Sequence, residues 1–242
     1  MYRTAPLWGL LFLLATACSS PTYDLIIRNG MVYPGDAAAA QPMDIGIREG
    51  KIVRLRKNLR GQAQREIDAS GLAVSPGFID LHTHLEPITL IPEAESHLRQ
   101  GVTTALGGPD GGAPVPLDEY LDSLQRLGVG LNVAYLTGHN TIRSQVMGLD
   151  NRAPTTEEIE AMRAAVRKGM KDGAFGISTG LKYLPGTYAD IDEVITLAKE
   201  AAQLGGIYTS HLREEGLGLI EGVAEAITIA DEADIPVVLT HH

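Results

Sequence analysis

The chain has 242 residues, 44% of them hydrophobic and 21% charged, with a formal net charge of −10. This composition excludes a disordered polymer and supports a large apolar core. The acidic balance, with no basic patch to neutralise phosphates, argues against a nucleic-acid partner.

The first 17 residues read as a targeting segment. Arg3 supplies the positive charge, residues 7–17 are apolar, and Ala15-Thr16-Ala17 is a small-x-small cleavage signal. The apolar stretch is too short for a membrane-spanning helix. Cys18, the single cysteine, follows at once and has no intrachain disulfide partner. Leu14-Ala15-Thr16-Ala17-Cys18 resembles a bacterial lipobox, whose cysteine is lipidated after cleavage. The expectation is an exported protein, either periplasmic or held at the membrane as a lipoprotein through lipidated Cys18. An ordinary secreted protein cut at the same bond is the alternative.

Residues 18–75 read as a small β unit. Residues 23–28 form a strand before the turn Asn29-Gly30, and residues 44–48 and 51–55 alternate around the tight turn Glu49-Gly50. Residues 37–40 form a low-complexity loop, and 66–69 a last strand. Ser70-Gly71 and Pro76-Gly77 mark the passage to the next domain. From residue 76 to 242 strand and helix alternate. Strands begin near Phe78, Val102, Leu131, Gly173, Gly206 and Ile235; helices fall at about 93–100, 117–127, 156–171, 191–204 and 217–233. Repeated β-α units imply an α/β protein with a parallel sheet and helices outside it.

Four histidines close three of the apolar runs: His82 and His84, His211, and His241. Residues two apart on a strand face the same way, so His82 and His84 can grip one ion, and imidazole suits zinc. An isolated histidine at a strand end is ordinarily a satisfied polar group; four at corresponding places point to a metal centre and hydrolytic chemistry. Those strand ends would be spread apart in a doubly wound sheet but meet at the mouth of a TIM-type barrel. The expected fold is therefore an incomplete (β/α)8 barrel of about six of eight strands, preceded by part of a small β-sandwich domain, in the N-terminal portion of a longer protein. His139 ends the third strand and is expected at the same mouth, contacting substrate or orienting its loop. Arg213 pairs either with a substrate carboxylate or with Glu214 or Glu215. Asp80 is read either as a partner of an imidazole or as a buried structural carboxylate. The glycines around Gly107 and Gly111 lack the spacing and the Lys-Ser/Thr of a phosphate loop.

The run Pro76-Gly77-Phe78-Ile79-Asp80-Leu81-His82-Thr83-His84 resembles the first-strand motif of the amidohydrolase superfamily. Four more blocks resemble the N-acyl-D-amino-acid deacylase (D-aminoacylase) family. They start at Gly101-Val102-Thr103-Thr104, Gly173-Ala174-Phe175-Gly176, Gly205-Gly206-Ile207-Tyr208 and Pro236-Val237-Val238-Leu239. The resemblance implies one or two zinc ions held by His82, His84, His211 and His241, and a substrate-contacting tyrosine at Tyr183. Two positions depart from the family. Asp110 stands where members have a metal-binding cysteine, and Lys182 where an acidic residue precedes the tyrosine. Either Asp110 or a carboxylated Lys182 could bridge metals. The family's general-base aspartate is expected on an eighth strand, beyond residue 242. The implied activity is a metal-dependent amide hydrolase releasing D-amino acids from small N-acyl-D-amino acids. The alternatives are another amidohydrolase activity (dipeptidase or cyclic-amide hydrolase) and a non-catalytic fragment or exported binding protein.

Overall fold

The computed structural model describes residues 22–240. The targeting segment with Cys18, and His241, therefore lie outside the described residues. The chain divides into two compact units, one ending at Pro76 and the other starting at Gly77.

The first unit is a mixed five-stranded sheet. It comprises β1 (Thr22–Val32), β2 (Gln41–Arg48), β3 (Lys51–Arg56), β4 (Gln62–Asp68) and the short β5 (Ala73–Val74). The order is β3-β2-β1-β4, with β5 also alongside β1. β1 runs antiparallel to β2 and parallel to β4 and β5. The β2–β3 connection is a two-residue turn in which both Glu49 and Gly50 have positive φ, 51° and 69°, the geometry that matches the twist of a hairpin. Asp44 is buried and its two carboxylate oxygens accept from the Asn29 and Leu59 amides, each at 2.8 Å. It thereby ties two loops to the small core of Tyr23, Ile26 and Leu59. A second sheet layer, which would make a sandwich, is not among the described residues.

The second unit repeats strand and helix. Its strands are β6 (Phe78–Asp80), β7 (Val102–Gly107), β8 (Asn132–Tyr135), β9 (Thr137–Gly138), β10 (Gly176–Gly180), β11 (Ile207–His211) and β12 (Val237–Leu239). All pair in parallel, in the orders β6-β7-β8 and β9-β10-β11-β12. β8 and β9 are one stretch of chain broken at Leu136. Hydrogen bonds on both sides carry the sheet across the break: Leu136 N–H donates to Gly107 O (3.0 Å) and Phe175 N–H to Tyr135 O (2.8 Å). Strand order follows chain order throughout, without the reversal that creates the ligand crevice of a doubly wound sheet.

The helices are α1 (Glu95–Leu98), α2 (Leu117–Leu127), α3 (His139–Met147), α4 (Thr156–Lys171), α5 (Ile191–Ala202) and α6 (Leu219–Ala233). α4 opens with a capping box: Thr155 Oγ1 accepts from the Glu158 amide, and the Glu158 carboxylate accepts from the Thr155 amide. Arg152 clamps the same carboxylate with two bonds of 2.6 and 2.7 Å. That guanidinium first, and the Thr155 amide second, hold the Glu158 carboxyl down at about 2. One face of α4 buries Met162 and Val166 against Ile177, Leu197, Tyr208 and Ile229. This is the main core of the unit, and apolar burial there supplies its stability.

α3 corrects the sequence reading. His139 does not end a strand at the barrel mouth; it is the first residue of a helix and is wholly buried. Its Nε2 lies 2.8 Å from Glu193 Oε1, and Arg143 Nε donates to the same carboxylate at 3.0 Å. Arg143 also donates to the carbonyls of Asp150 and Arg152. The helix was missed because its buried residues mix polar side chains (His139, Asn140, Arg143) with only a short apolar set (Ile142, Met147), too brief in nine residues to read as a helical period.

This trio is a structural joint between α3, the loop after it and α5. Removing one partner from a buried ion pair leaves the other charge unpaired, at a cost of about 3–5 kcal/mol. Glu193→Ala is expected to destabilise the protein by about that amount in a denaturant titration. A loss under 1 kcal/mol would show that the joint contributes little.

Candidate metal centre

The ends of β6, β7 and β11 supply the site. β6 stops at Asp80, so His82 and His84 are not on a regular strand as expected but in the bend and irregular segment just beyond it. Thr83, between them, is buried, and its amide donates to Leu106 O on β7 (3.1 Å), which ties the segment to the sheet. The Asp80 carboxylate accepts from the His82 amide at 3.0 Å, so it shapes the backbone of this segment.

Asp110 follows β7 in a turn between Gly108 and Gly111, and its backbone is left-handed, with φ 55°. Its carboxylate is the hub of the cluster. Oδ2 lies 3.2 Å from His84 Nε2 and 3.7 Å from His82 Nε2. Oδ1 lies 3.6 Å from Nδ1 of His211, the last residue of β11. Nitrogen and oxygen ligands bind zinc at about 2.0–2.2 Å in a tetrahedron, which puts neighbouring donor atoms roughly 3.3 Å apart. His82, His84 and Asp110 each offer a donor atom within 4.8 Å of the others. Spacing and chemistry both fit a zinc ion held by imidazole and carboxylate. The two oxygens of Asp110 face different imidazoles, Oδ2 those of His82 and His84 and Oδ1 that of His211.

The remaining predicted residues divide. Tyr183 stands beside the cluster, its ring 4.4 Å from that of His211. Burial and the Asp110 charge raise its phenol above the usual tyrosine range. Lys182, the alternative bridge, instead pairs its ammonium with Glu214 Oε1 at 3.0 Å. Arg213 pairs with neither Glu214 nor Glu215. It grips the Glu225 carboxylate at 2.8–3.0 Å and donates to the carbonyls of Thr187 and Ala189. With its fork committed on every side, it anchors the loop after Tyr183 and offers no donor pair to a substrate carboxylate. His139, in the buried trio, does not face the site either. His241 lies outside the described residues.

Three roles escaped the sequence reading. Glu215 Oε2 is 3.3 Å from His211 Nε2, a pairing that its position four residues on could have signalled. Asn140, buried at the start of α3, accepts from the Gly180 amide and donates to the Gly180 and Tyr183 carbonyls. It fixes the segment carrying Tyr183, and nothing in the local pattern announces it. Ser178 of β10 bonds the Asp110 turn. Beside the cluster opens a cleft of about 600 Å³, lined by His84, Asp110, Asn140, Thr141, Tyr183 and Leu184 among others.

Comparison with known proteins places the chain among metal-dependent amidohydrolases. The D-aminoacylase of Alcaligenes xylosoxydans xylosoxydans is 35% identical over 92% of this chain and 51% of its own length. A D-aminoacylase structure described for the functional role of its binuclear metal centre superposes with a TM-score of 0.84 at 33% identity, covering 91% of this chain and 52% of that one. The N-acyl-D-glutamate deacylase from Bordetella bronchiseptica was solved with zinc and a phosphonate inhibitor that mimics the tetrahedral intermediate. It superposes with a TM-score of 0.85 at 32% identity, covering 92% of this chain and 52% of that one. The chain spans about half the length of these relatives. A model of the amidohydrolase family matches residues 65–239, across every described donor of the cluster, and the chain belongs to that family.

Proposed function

We propose that the protein is a zinc-dependent amide hydrolase that releases D-amino acids from N-acyl-D-amino acids, working at the mouth of a (β/α)8 barrel. The observation that carries this reading is the convergence of His82, His84 and His211 on the Asp110 carboxylate. The similarity to D-aminoacylase and to N-acyl-D-glutamate deacylase supplies the substrate class. The unreversed order of parallel strands supports the barrel, since sequential strands with outer helices curl towards closure.

In this reading His82, His84, His211 and Asp110 hold one or two ions, joined by His241. Bound there, zinc supplies Lewis-acid polarisation of the scissile carbonyl and a water acidified towards a pKa of about 7. Tyr183 borders both the cluster and the cleft, so its hydroxyl is placed to orient the acyl group. Asn140 keeps that segment in place, and the Arg213–Glu225 pair holds the loop that follows.

Asp110→Ala is expected to lower zinc affinity and kcat/KM by at least about a hundredfold, a ligand counting for no less than the groups around it. Metal analysis and kinetics on the complete protein check this; full zinc occupancy with unchanged activity would remove Asp110 from the site. A panel of N-acyl D- and L-amino acids tests the substrate class. Release from D-substrates that disappears with a chelator and returns with zinc is the expected result, and release from L-substrates alone would overturn the assignment.

Attachment at the membrane rests on the lipobox ending at Cys18. No helix among the described residues is long and apolar enough to cross a membrane. Cys18→Ser is expected to move the protein from the membrane fraction to the soluble one; an unchanged distribution would refute lipidation.

A further inference from the structure

Asp110 sits in the left-handed region, with φ 55°, which aspartate adopts more readily than most residues other than glycine. Its neighbours Gly108 and Gly111 are left-handed as well, with φ 73° and 77°. Something must hold this turn, because a free loop would carry the carboxylate away from the imidazoles.

The holder is on β10. Ser178 is wholly buried, and its hydroxyl donates to the Gly108 carbonyl at 2.6 Å while accepting from the Gly111 amide at 3.1 Å. One side chain thus closes the turn on both sides of Pro109 and Asp110. Gly180, two residues on and so on the same strand face, leaves room for the turn: a Cβ there would lie 2.2 Å from the Asp110 carbonyl. On the far side the Gly111 carbonyl accepts from the Thr141 amide at 3.0 Å. Thr179, on the opposite face of the strand, bonds instead to the Tyr208 hydroxyl (2.9 Å) and Ser210 Oγ (3.2 Å). The two adjacent buried hydroxyls therefore serve different surroundings, and only one touches the Asp110 turn.

We propose that Ser178 is a positioning residue for the metal centre, its hydroxyl locking the turn of residues 108–111 so that the Asp110 carboxylate meets His82, His84 and His211. The inference rests on the metal-centre reading and adds to it the group that orients the hub ligand. Groups that orient a ligand in this way are worth about 10- to 100-fold in metal affinity.

The test is zinc titration of the complete protein against a chromophoric chelator, for the wild type, Ser178→Ala, Thr179→Val, Asp110→Ala and the Ser178/Asp110 double variant. Ser178→Ala is expected to weaken zinc binding about tenfold or more, whereas Thr179→Val, which also deletes a buried hydroxyl, leaves it near the wild-type value. In the Asp110→Ala background, Ser178→Ala should change the residual affinity no further, because its effect runs through the missing carboxylate. Wild-type affinity in Ser178→Ala, or an undiminished loss without Asp110, would overturn the proposal while leaving the metal centre standing. A wild type that takes up no zinc would overturn the metal centre and this inference with it. Should Ser178→Ala fail to fold, hydrogen exchange of the Gly111 amide in the wild type decides. What the lock gives to ion binding the ion must return to the lock, so zinc should slow that exchange about tenfold or more; an unchanged rate would overturn the proposal.

Discussion

The organisation of the site depends on one carboxylate carried by a left-handed turn. Asp110 reaches three imidazoles from two other strand ends only because its turn is left-handed, pressed between β10 and α3. Close approach on one side and hydrogen bonds on the other leave the turn little freedom. That is the usual condition for a ligand set whose geometry exists before the ion arrives.

Around this hub the chain uses charge in two ways. At the strand ends, polar groups face a cleft and one another and form a donor set. Elsewhere, the wholly buried His139–Arg143–Glu193 group and the half-buried Arg213–Glu225 pair are closed on themselves and on backbone carbonyls. Sequence does not distinguish these uses, since each involves a histidine or arginine near a strand or helix end. What distinguishes them is what surrounds the polar atoms: a cleft and other possible metal donors in one case, an ion-pair partner and backbone carbonyls in the other. Arg213 has five such bonds, which is why it is read as an anchor.

Much of the fold was legible because its signals are periodic. The second unit's strands and five of its helices lie close to where apolar spacing puts them, with α2 and α4 spanning the expected 117–127 and 156–171. The unread helix, α3, buries His139, Asn140 and Arg143 alongside Ile142 and Met147, so its short apolar stripe is interrupted by polar residues. His82, His84 and His211 were visible as a recurring placement at the ends of apolar runs. The choice between Asp110 and Lys182 was not visible, because both lie in glycine-rich turns whose direction only the fold sets. The structure puts Asp110 among the imidazoles and Lys182 against Glu214. Ser178 and Asn140 were invisible for a different reason: they act on backbone atoms far away in sequence, and no local pattern encodes that.

Because the donors come from the ends of β6, β7 and β11, an ion among them would be a clasp as well as a reagent. It would join stretches far apart along the chain and close large loops that are costly to close in the unfolded ensemble. Ligands of this kind bind the folded form and not the random chain. Occupancy of the cluster and resistance to unfolding would therefore rise together, and metal scarcity would reach this protein through its lifetime as well as through its chemistry.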